Sequence, residues 1–364
     1  MEKKNKGVFW IKFKKYMNHV FIDGLSGMAL GLFSTLIVGT ILAQIASMIG
    51  GTVGGYLTMI ARVAKALTGA GIGVGVAYKF KESILVTVSA AAAGMAGAFA
   101  GSILSGAAFS GTSLLLAGPG EPLGAFIGAL AGIEIGHLVS GKTKVDILVT
   151  PIVTIITGAS VGLLVGPPIS AFMTNVGAII NWGTEQQPLL LGIVVAVVMG
   201  LALTLPISSA ALGIILNLQG LAAGAAVAGC CAQMIGFAVS SYRENKVNGL
   251  IAQGLGTSML QMPNIIKKPV IWLPPTIASA IAGPVSAWAL GMTCDATGSG
   301  MGTSGLVGPI MTFKTMLADG FPIWLIIVEI IAVQFILPAV IALFVSEIMR
   351  KKNIIKLGDL KLEL

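Results

Sequence analysis

A chain of 364 residues with 55% hydrophobic residues, 10% charged residues and a mean hydropathy of +0.95 is no ordinary soluble domain, because those carry about 25% charged residues. The net charge of +8 gathers at the ends: Lys3, Lys4, Lys6, Lys12, Lys14 and Lys15 precede the first long apolar run, and Arg350, Lys351, Lys352, Lys356 and Lys361 follow the last. These charges flank membrane spans and form no basic domain, which excludes nucleic-acid binding, and by the positive-inside rule both termini face the cytoplasm and the number of crossings is even. Three cysteines, two of them adjacent (Cys230 and Cys231), build no disulfide framework and read as small packing residues.

Phe9, Trp10, Phe13 and Tyr16 alternate with lysines, so a helix lying at the interface is expected over 7–20. The apolar run over 25–49 is long for a signal-peptide core and reads as a retained first span. The segment 54–78 carries Arg62, Lys65 and many glycines and is at best a weak span. Apolar runs then cover 84–117, 123–140 and 145–166. Pro167 and Pro168 are expected to break the chain before an amphipathic connector that ends near Trp182.

From Gln186 to Tyr242 there is no Asp, Glu, Lys, Arg or His. The stretch is too long for one crossing of about 20 residues. Pro206, Ser208, Ser209, Asn217, Gln219 and Gly220 interrupt it, with Cys230, Cys231 and Gln233 beyond. A span broken in this way leaves backbone polar groups at membrane depth, tolerated only inside protein or against a wet cavity.

Arg243, Glu244 and Lys246 mark a polar loop, and 249–266 is rich in Gln, Gly and Ser. A span at 270–292, a Gly-rich loop at 298–308 and a last span at 322–348 complete the chain. The 49 glycines suit close helix packing in lipid. The fold class expected is an all-α polytopic membrane protein with about ten transmembrane helices and re-entrant hairpins. Its organisation is an N-terminal cytoplasmic or interfacial helix (1–24), a transmembrane domain (25–349) and a basic cytoplasmic tail (350–364).

An internal repeat can be traced. Ser89-Ala-Ala-Ala92 has a counterpart in Ser208-Ser-Ala-Ala211, and Ile135-Gly-His-Leu-Val-Ser140 in Ile235-Gly-Phe-Ala-Val-Ser240. Lys144-Val145 matches Lys246-Val247, and Pro167-Pro168 matches Pro274-Pro275. Duplicated halves are a transporter hallmark, and sequence does not say whether they are inverted.

Ionisable residues inside apolar runs are functional candidates by default. Glu121 lies in Gly118-Pro-Gly-Glu-Pro122, a hairpin tip that is either re-entrant or at the surface. Glu134 and His137 share a helical face, suited to holding a polar ligand or relaying a proton, or alternatively marking an interfacial helix end before Lys142 and Lys144. Glu329 sits mid-run, where a hydrogen bond to a neighbouring helix is the structural account. Asp295 precedes glycines that read as a tight connecting loop, since no Lys-Ser/Thr pair follows.

The amides Asn217, Gln219, Gln233, Gln253, Gln261 and Asn264 are rich for membrane segments. They suit a ligand covered in hydroxyls, and with Ser208 and Ser209 they are candidate substrate-binding residues. Interhelical hydrogen bonds are the competing account. No catalytic triad, paired carboxylates, P-loop or metal-ligand spacing stands out, so no cofactor or metal is expected.

Six segments carry a family resemblance: Gly71-Ile-Gly-Val-Gly-Val-Ala-Tyr78, Ser140-Gly-Lys-Thr-Lys-Val-Asp146, Leu205-Pro-Ile-Ser-Ser-Ala-Ala-Leu-Gly213, Gly229-Cys-Cys-Ala-Gln-Met-Ile-Gly-Phe237, Gln253-Gly-Leu-Gly-Thr-Ser258 and Gly300-Met-Gly-Thr-Ser-Gly-Leu-Val307. With them the chain resembles the phosphotransferase-system EIIC-like family (type 2) that includes perfringolysin O regulator-like proteins. The resemblance implies a sugar-permease-like component of the bacterial cell membrane, homodimeric, with a substrate domain that moves like an elevator. It also implies that Glu121-Pro122 is similar to the Glu-Pro of a sugar-binding hairpin. The chain has no EIIA- or EIIB-like module, so phosphorylation requires a separate EIIB-type phosphocarrier. Regulator-like members imply the alternative of a membrane sensor that binds a small ligand or lipid without transport.

Overall fold

The computed structural model describes residues 16–362 apart from 112 and 117, so most of the interfacial helix expected over 7–20 lies outside the described residues. Among the described residues, six helices are long and apolar enough to cross a membrane: Tyr16–Ile49 (α1), Pro122–Val139, Asp146–Ile169, Gly220–Ser240, Pro269–Ala289 and Ile323–Lys351. A seventh span arises if Gly51–Ala66 (α2) and Thr68–Lys79 (α3), bent by 52° at Leu67, count as one. Ile84–Ala98 (α4) and Pro188–Thr204 are shorter apolar helices. With these half-spans the all-α, polytopic expectation holds. The only strands among the described residues are Phe109–Ser110 (β1) and Ser113–Leu114 (β2), a minimal antiparallel hairpin.

The chain divides into two compact units. One takes the residues up to Thr35 together with Ala66–Pro167, and the other Leu36–Lys65 together with Pro168–Leu364.

In the first unit, α4 begins at Ser83, whose hydroxyl caps the Val86 N–H, and it ends at Phe99, where the backbone leaves helical geometry. A short helix, Ala100–Leu104 (α5), and the β1–β2 hairpin follow, so the apolar run over 84–117 does not continue as one span. Gly106 and Gly111, both with positive φ, turn the chain there. The chain then enters Pro122–Val139 (α6) with proline at its first turn, where its missing N–H costs nothing.

Helix packing in this unit is glycine against backbone. Gly27 faces Gly75, Gly31 faces Gly71, Gly73 faces Ala90, and Gly97 faces Gly124, each so close that a Cβ would meet a main-chain oxygen. The same holds where Gly128 meets Gly158 and Gly132 meets Thr154 on the helix Asp146–Thr184 (α7). Without a hydrophobic force between helices in lipid, such contact is what binds them.

Helical geometry continues along α7 past Pro167 and Pro168, against the expectation of a break. Two prolines delete two intrahelical donors, a loss that membrane helices absorb when neighbours supply partners. The boundary between the compact units nevertheless falls between these two prolines.

The second unit centres on Gly220–Ser240 (α10), whose residues Ala223–Met234 are all buried. Around it stand Pro188–Thr204 (α8), Leu273–Pro284 (α13) and Leu337–Lys351 (α17). Gly229 of α10 lies on the Ala196 backbone of α8, and Gly192 and Gly283 bring α8 and α13 equally close. Between α8 and α10 lies the short helix Ser209–Ile215 (α9), and after α10 comes Tyr242–Ile251 (α11). The polar loop expected at Arg243–Lys246 is therefore helical, with one non-helical residue, Lys246 (φ 51°).

A π turn (Ala252–Gly256), a 3-10 turn (Ser258–Gln261) and Met262–Lys267 (α12) lead to α13. Beyond it Asp295 accepts the Gly298 N–H to cap Ala296–Ser299 (α14). Gly300 packs on Ser209 and Gly302 on Cys230, which makes the Gly-rich loop the tight connector expected. Val307–Ala318 (α15) and Ile323–Glu329 (α16) follow, and a π-helical stretch, Ile330–Ile336, joins α16 to α17.

Candidate functional site

Each unit contains one broken-helix turn of the same plan. In the first, α4 stops at Phe99, α5 adds a short turn, and the chain returns through Gly118 and Gly120, both with positive φ, to Glu121. Glu121 is the extended residue before α6, and its N–H donates to Ala98 O at 2.8 Å. This pins the tip back onto the end of α4, and the half-buried carboxyl of Glu121 stands beside the α6 N-terminus, where a negative charge is favoured.

In the second, α8 stops at Leu205, held extended ahead of Pro206. Helix α9 adds a short turn, and Asn217 (φ 48°) and Gly220 (φ 58°) reverse the chain. Gln219 is here the extended residue before α10, and its Nε2 donates to Asn217 Oδ1 at 2.9 Å. The buried hydroxyl of Ser209 donates to Gly300 O at 2.7 Å and ties the tip to the Gly-rich loop. Ile207, Ser209 and Leu218 are buried in protein, whereas Asn217 and Gln219 are exposed, so the break is packed on one side and open on the other.

The structure separates Glu121 from His137. They stand at opposite ends of α6, about 24 Å apart along its axis at 1.5 Å per residue. His137 is 66% exposed, and its Nδ1 pairs with Glu82 at 3.0 Å. Both histidines of the chain gather at this end: His19 pairs with Asp23 at 3.2 Å and stacks on Phe80. His19, His137 and Glu82 are the titratable neighbours of Glu134. The result is an ionic cluster on one end of the unit. Among the described residues no group of three or more His, Cys, Asp or Glu is placed to hold a metal ion.

The remaining amides fall in two networks of the second unit. Gln233, fully buried on α10, accepts from Trp272 Nε1 at 2.9 Å and from Thr204 at 3.3 Å, and donates to Thr276 and Ser279. Thr204 also bonds Ser258 at 2.8 Å. Sequence reading found Gln233 but missed Thr204, Ser258, Trp272, Thr276 and Ser279, whose spacing along the chain gives no sign that they meet.

Gln253, Gln261 and Asn264 form the other network, around the end of the chain. Gln261 donates to Gln253 Oε1 and to Leu360 O, and Asn264 to Gln261 Oε1 and Lys361 O. Asn245 donates to Leu360 O and accepts from Leu362 N, both at 2.8 Å. Ile355, Leu360 and Leu362 are buried, and Lys268 pairs with Asp359 at 2.6 Å. Burial works to raise the Asp359 carboxyl, but hydrogen bonds from Lys268 and the Lys356 N–H, with the charge of both lysines, outweigh it and hold it below the usual carboxylate range. Nearby Glu244 receives Arg350 at 2.9 Å, both nearly buried.

With this geometry in place, the comparison with known families is decisive: a family model described as phosphotransferase system, EIIC, matches residues 22–362. The chain belongs to this family. No curated protein matches it. As an EIIC protein it is a multi-pass membrane permease component of sugar uptake. The segments that carried the resemblance lie in the architecture just described. Gly71–Tyr78 is the glycine face of α3, 205–213 is the α8 break, and 229–237 is the buried centre of α10.

Of the repeat traced in sequence, Ile135–Ser140 and Ile235–Ser240 close α6 and α10, the equivalent helices of the two broken-helix turns. Ser89 lies inside α4 whereas Ser208 lies in the break after α8, so that pairing is out of register.

Proposed function

We propose that this EIIC protein carries a small polar solute, a sugar or related metabolite, through the bacterial cell membrane by elevator-type alternating access. It works as a homodimer with both termini in the cytoplasm. The observation that carries this reading is Glu121: a carboxyl group held by its own backbone at the tip of a broken helix, beside a helix N-terminus, in a family whose members take up sugars. A carboxylate in that position accepts two neighbouring sugar hydroxyls at once, and charge-assisted bonds of this kind are about twice as strong as neutral ones. The tip of the second unit, with Ser208, Ser209, Asn217 and Gln219, is uncharged, which suits a hydroxyl-bearing solute and offers nothing to a fixed charge.

Gln233, Gln261 and Asn264 take a supporting part in this reading, since their polar groups are already engaged inside the protein. Glu134 and His137 belong to the ionic cluster at the far end of α6 and act on proton or partner traffic there, not on the same solute. A separate EIIB-type carrier supplies any phosphoryl group.

A thermal-shift screen of purified protein against a sugar panel tests the proposal, with Glu121→Gln as control. A sugar that stabilises the wild type and not the variant supports it. Folded protein that no sugar shifts, but that copurifies with one lipid, favours a sensor that binds without transport.

A further inference from the structure

Glu329 lies about 9 Å along the helix from Ile323, two turns into the last apolar span, at 1.5 Å per residue. Its side chain is buried (6% exposed), and Oε2 has no hydrogen-bond partner. Gln334 follows at i+5, the hydrogen-bond repeat of the π-helical stretch that contains it, so the two lie near one another on one face. Ile326, Ile330 and Val333 line that same buried face. Gln334 is buried too: its Nε2 donates to Thr312 Oγ1 of α15 at 2.9 Å, and its Oε1 has no partner. One face of one span therefore carries two buried oxygens that can only accept, with nothing to donate to either.

Of the titratable groups on the elements packed against this stretch, Lys314 of α15 points to the exterior. Glu347 and Arg350 of α17 are engaged with Arg243 and Glu244 at the other end of the span, where Lys351 is also exposed. Helix α10 contributes only the buried thiols of Cys230 and Cys231. Among the described residues no cation reaches Glu329 in an ion pair. An ionised carboxylate in such surroundings is expensive, whereas a neutral carboxylic acid brings an O–H donor with it.

We infer that Glu329, Gln334 and Thr312 form a proton-binding site within the last span, in which one proton on Glu329 supplies the donor that both oxygens lack. The ligand is the proton itself: on binding, the carboxylate becomes a carboxylic acid, and on release the proton passes to water. A π-helical stretch, whose wider turns loosen the backbone ladder, is a common setting for functional residues. The proton links local pH to the packing of α15 against the last span. The inference stands independently of which solute the protein carries.

Infrared spectroscopy of the purified full-length protein in lipid tests it. At pH 7 the wild type should show a protonated-carboxyl C=O band that Glu329→Gln lacks, and raising the pH further should remove it. Gln334→Leu leaves the acid in place but removes the acceptor, so the band should move to higher frequency. If Glu329→Gln does not fold, the wild-type titration and Gln334→Leu still decide. Identical spectra for wild type and Glu329→Gln, or no band above pH 6, overturn the proposal. So does a sodium titration that raises the melting temperature of the wild type but not of Glu329→Gln, since the site would then hold a metal cation.

Discussion

Glu121 and His137 begin and end the same helix, so one small solute cannot touch both. This separates two roles that sequence proximity had left together. Glu121→Gln is expected to weaken sugar binding at least tenfold, the loss of about 1.4 kcal/mol or more that follows when a charge-assisted bond becomes a neutral one. His137→Ala should leave affinity within about twofold, because its ring is mostly solvated and its partner is Glu82. Isothermal titration of both variants checks this. Equal losses would put the solute elsewhere.

Gly229 of α10 touches the Ala196 main chain of α8, and a methyl group there has backbone, not a flexible side chain, to displace. Gly229→Ala should cost about 1–3 kcal/mol as an overpacking substitution. Gly55 of α2 has nothing near its absent Cβ, so Gly55→Ala should stay within about 0.5 kcal/mol of wild type. Thermal unfolding in one detergent compares them, and equal midpoints would contradict the close approach.

Gln233 joins α8, α10 and α13 through four side chains. Gln233→Ala removes the acceptor of the half-buried Trp272 N–H and the partner of the buried Thr204 and Ser279 hydroxyls, for a cost of about 1–3 kcal/mol. Thr276→Val should cost less, since its hydroxyl also donates to Trp272 O and its bond to Gln233 is long at 3.4 Å. Tryptophan fluorescence during denaturation reads both. A Gln233→Ala protein as stable as wild type would show that the network contributes nothing net.

The end of the chain is held by Asn245, Gln261, Asn264 and the Lys268–Asp359 pair. Asp359 has a depressed pKa when folded, so its contribution is present above the unfolded value of about 3.9 and is lost as pH falls through the folded one. Protection over 355–362, taken as exchange relative to the intrinsic rate at the same pH, should therefore be high at pH 7 and fall below about pH 4. Asp359→Asn should show low protection at both. Unchanged exchange in the variant would remove the pair from the clasp.

The membrane class and the break near Pro206 were legible because both are local: a charge-free run is too long for one span, and proline biases the preceding residue away from a helical ψ. The turn at Glu121 was legible for the same reason, with glycines and prolines marking it. Pro167 and Pro168 misled because a proline's cost depends on neighbours that sequence does not reveal. The amides misled differently. Gln261 and Asn264 looked like lining for a polar ligand, yet their partners are the main-chain oxygens of Leu360 and Lys361, almost a hundred residues on. The C-terminal residues, read as a basic cytoplasmic tail, bury Ile355, Leu360 and Leu362 between their lysines. No pattern of residue types shows which chain end will fill a cradle of amides.

Uptake by proteoliposomes of a sugar selected in the thermal-shift screen tests the permease reading most directly. Wild-type protein should equilibrate the sugar across the vesicle membrane, and trap it when a phosphorylated EIIB-type carrier is present, and Glu121→Gln at equal reconstitution should do so at least tenfold more slowly. Wild-type and variant vesicles that take up the sugar at the same rate, or folded wild-type protein that moves none of the panel, would contradict it.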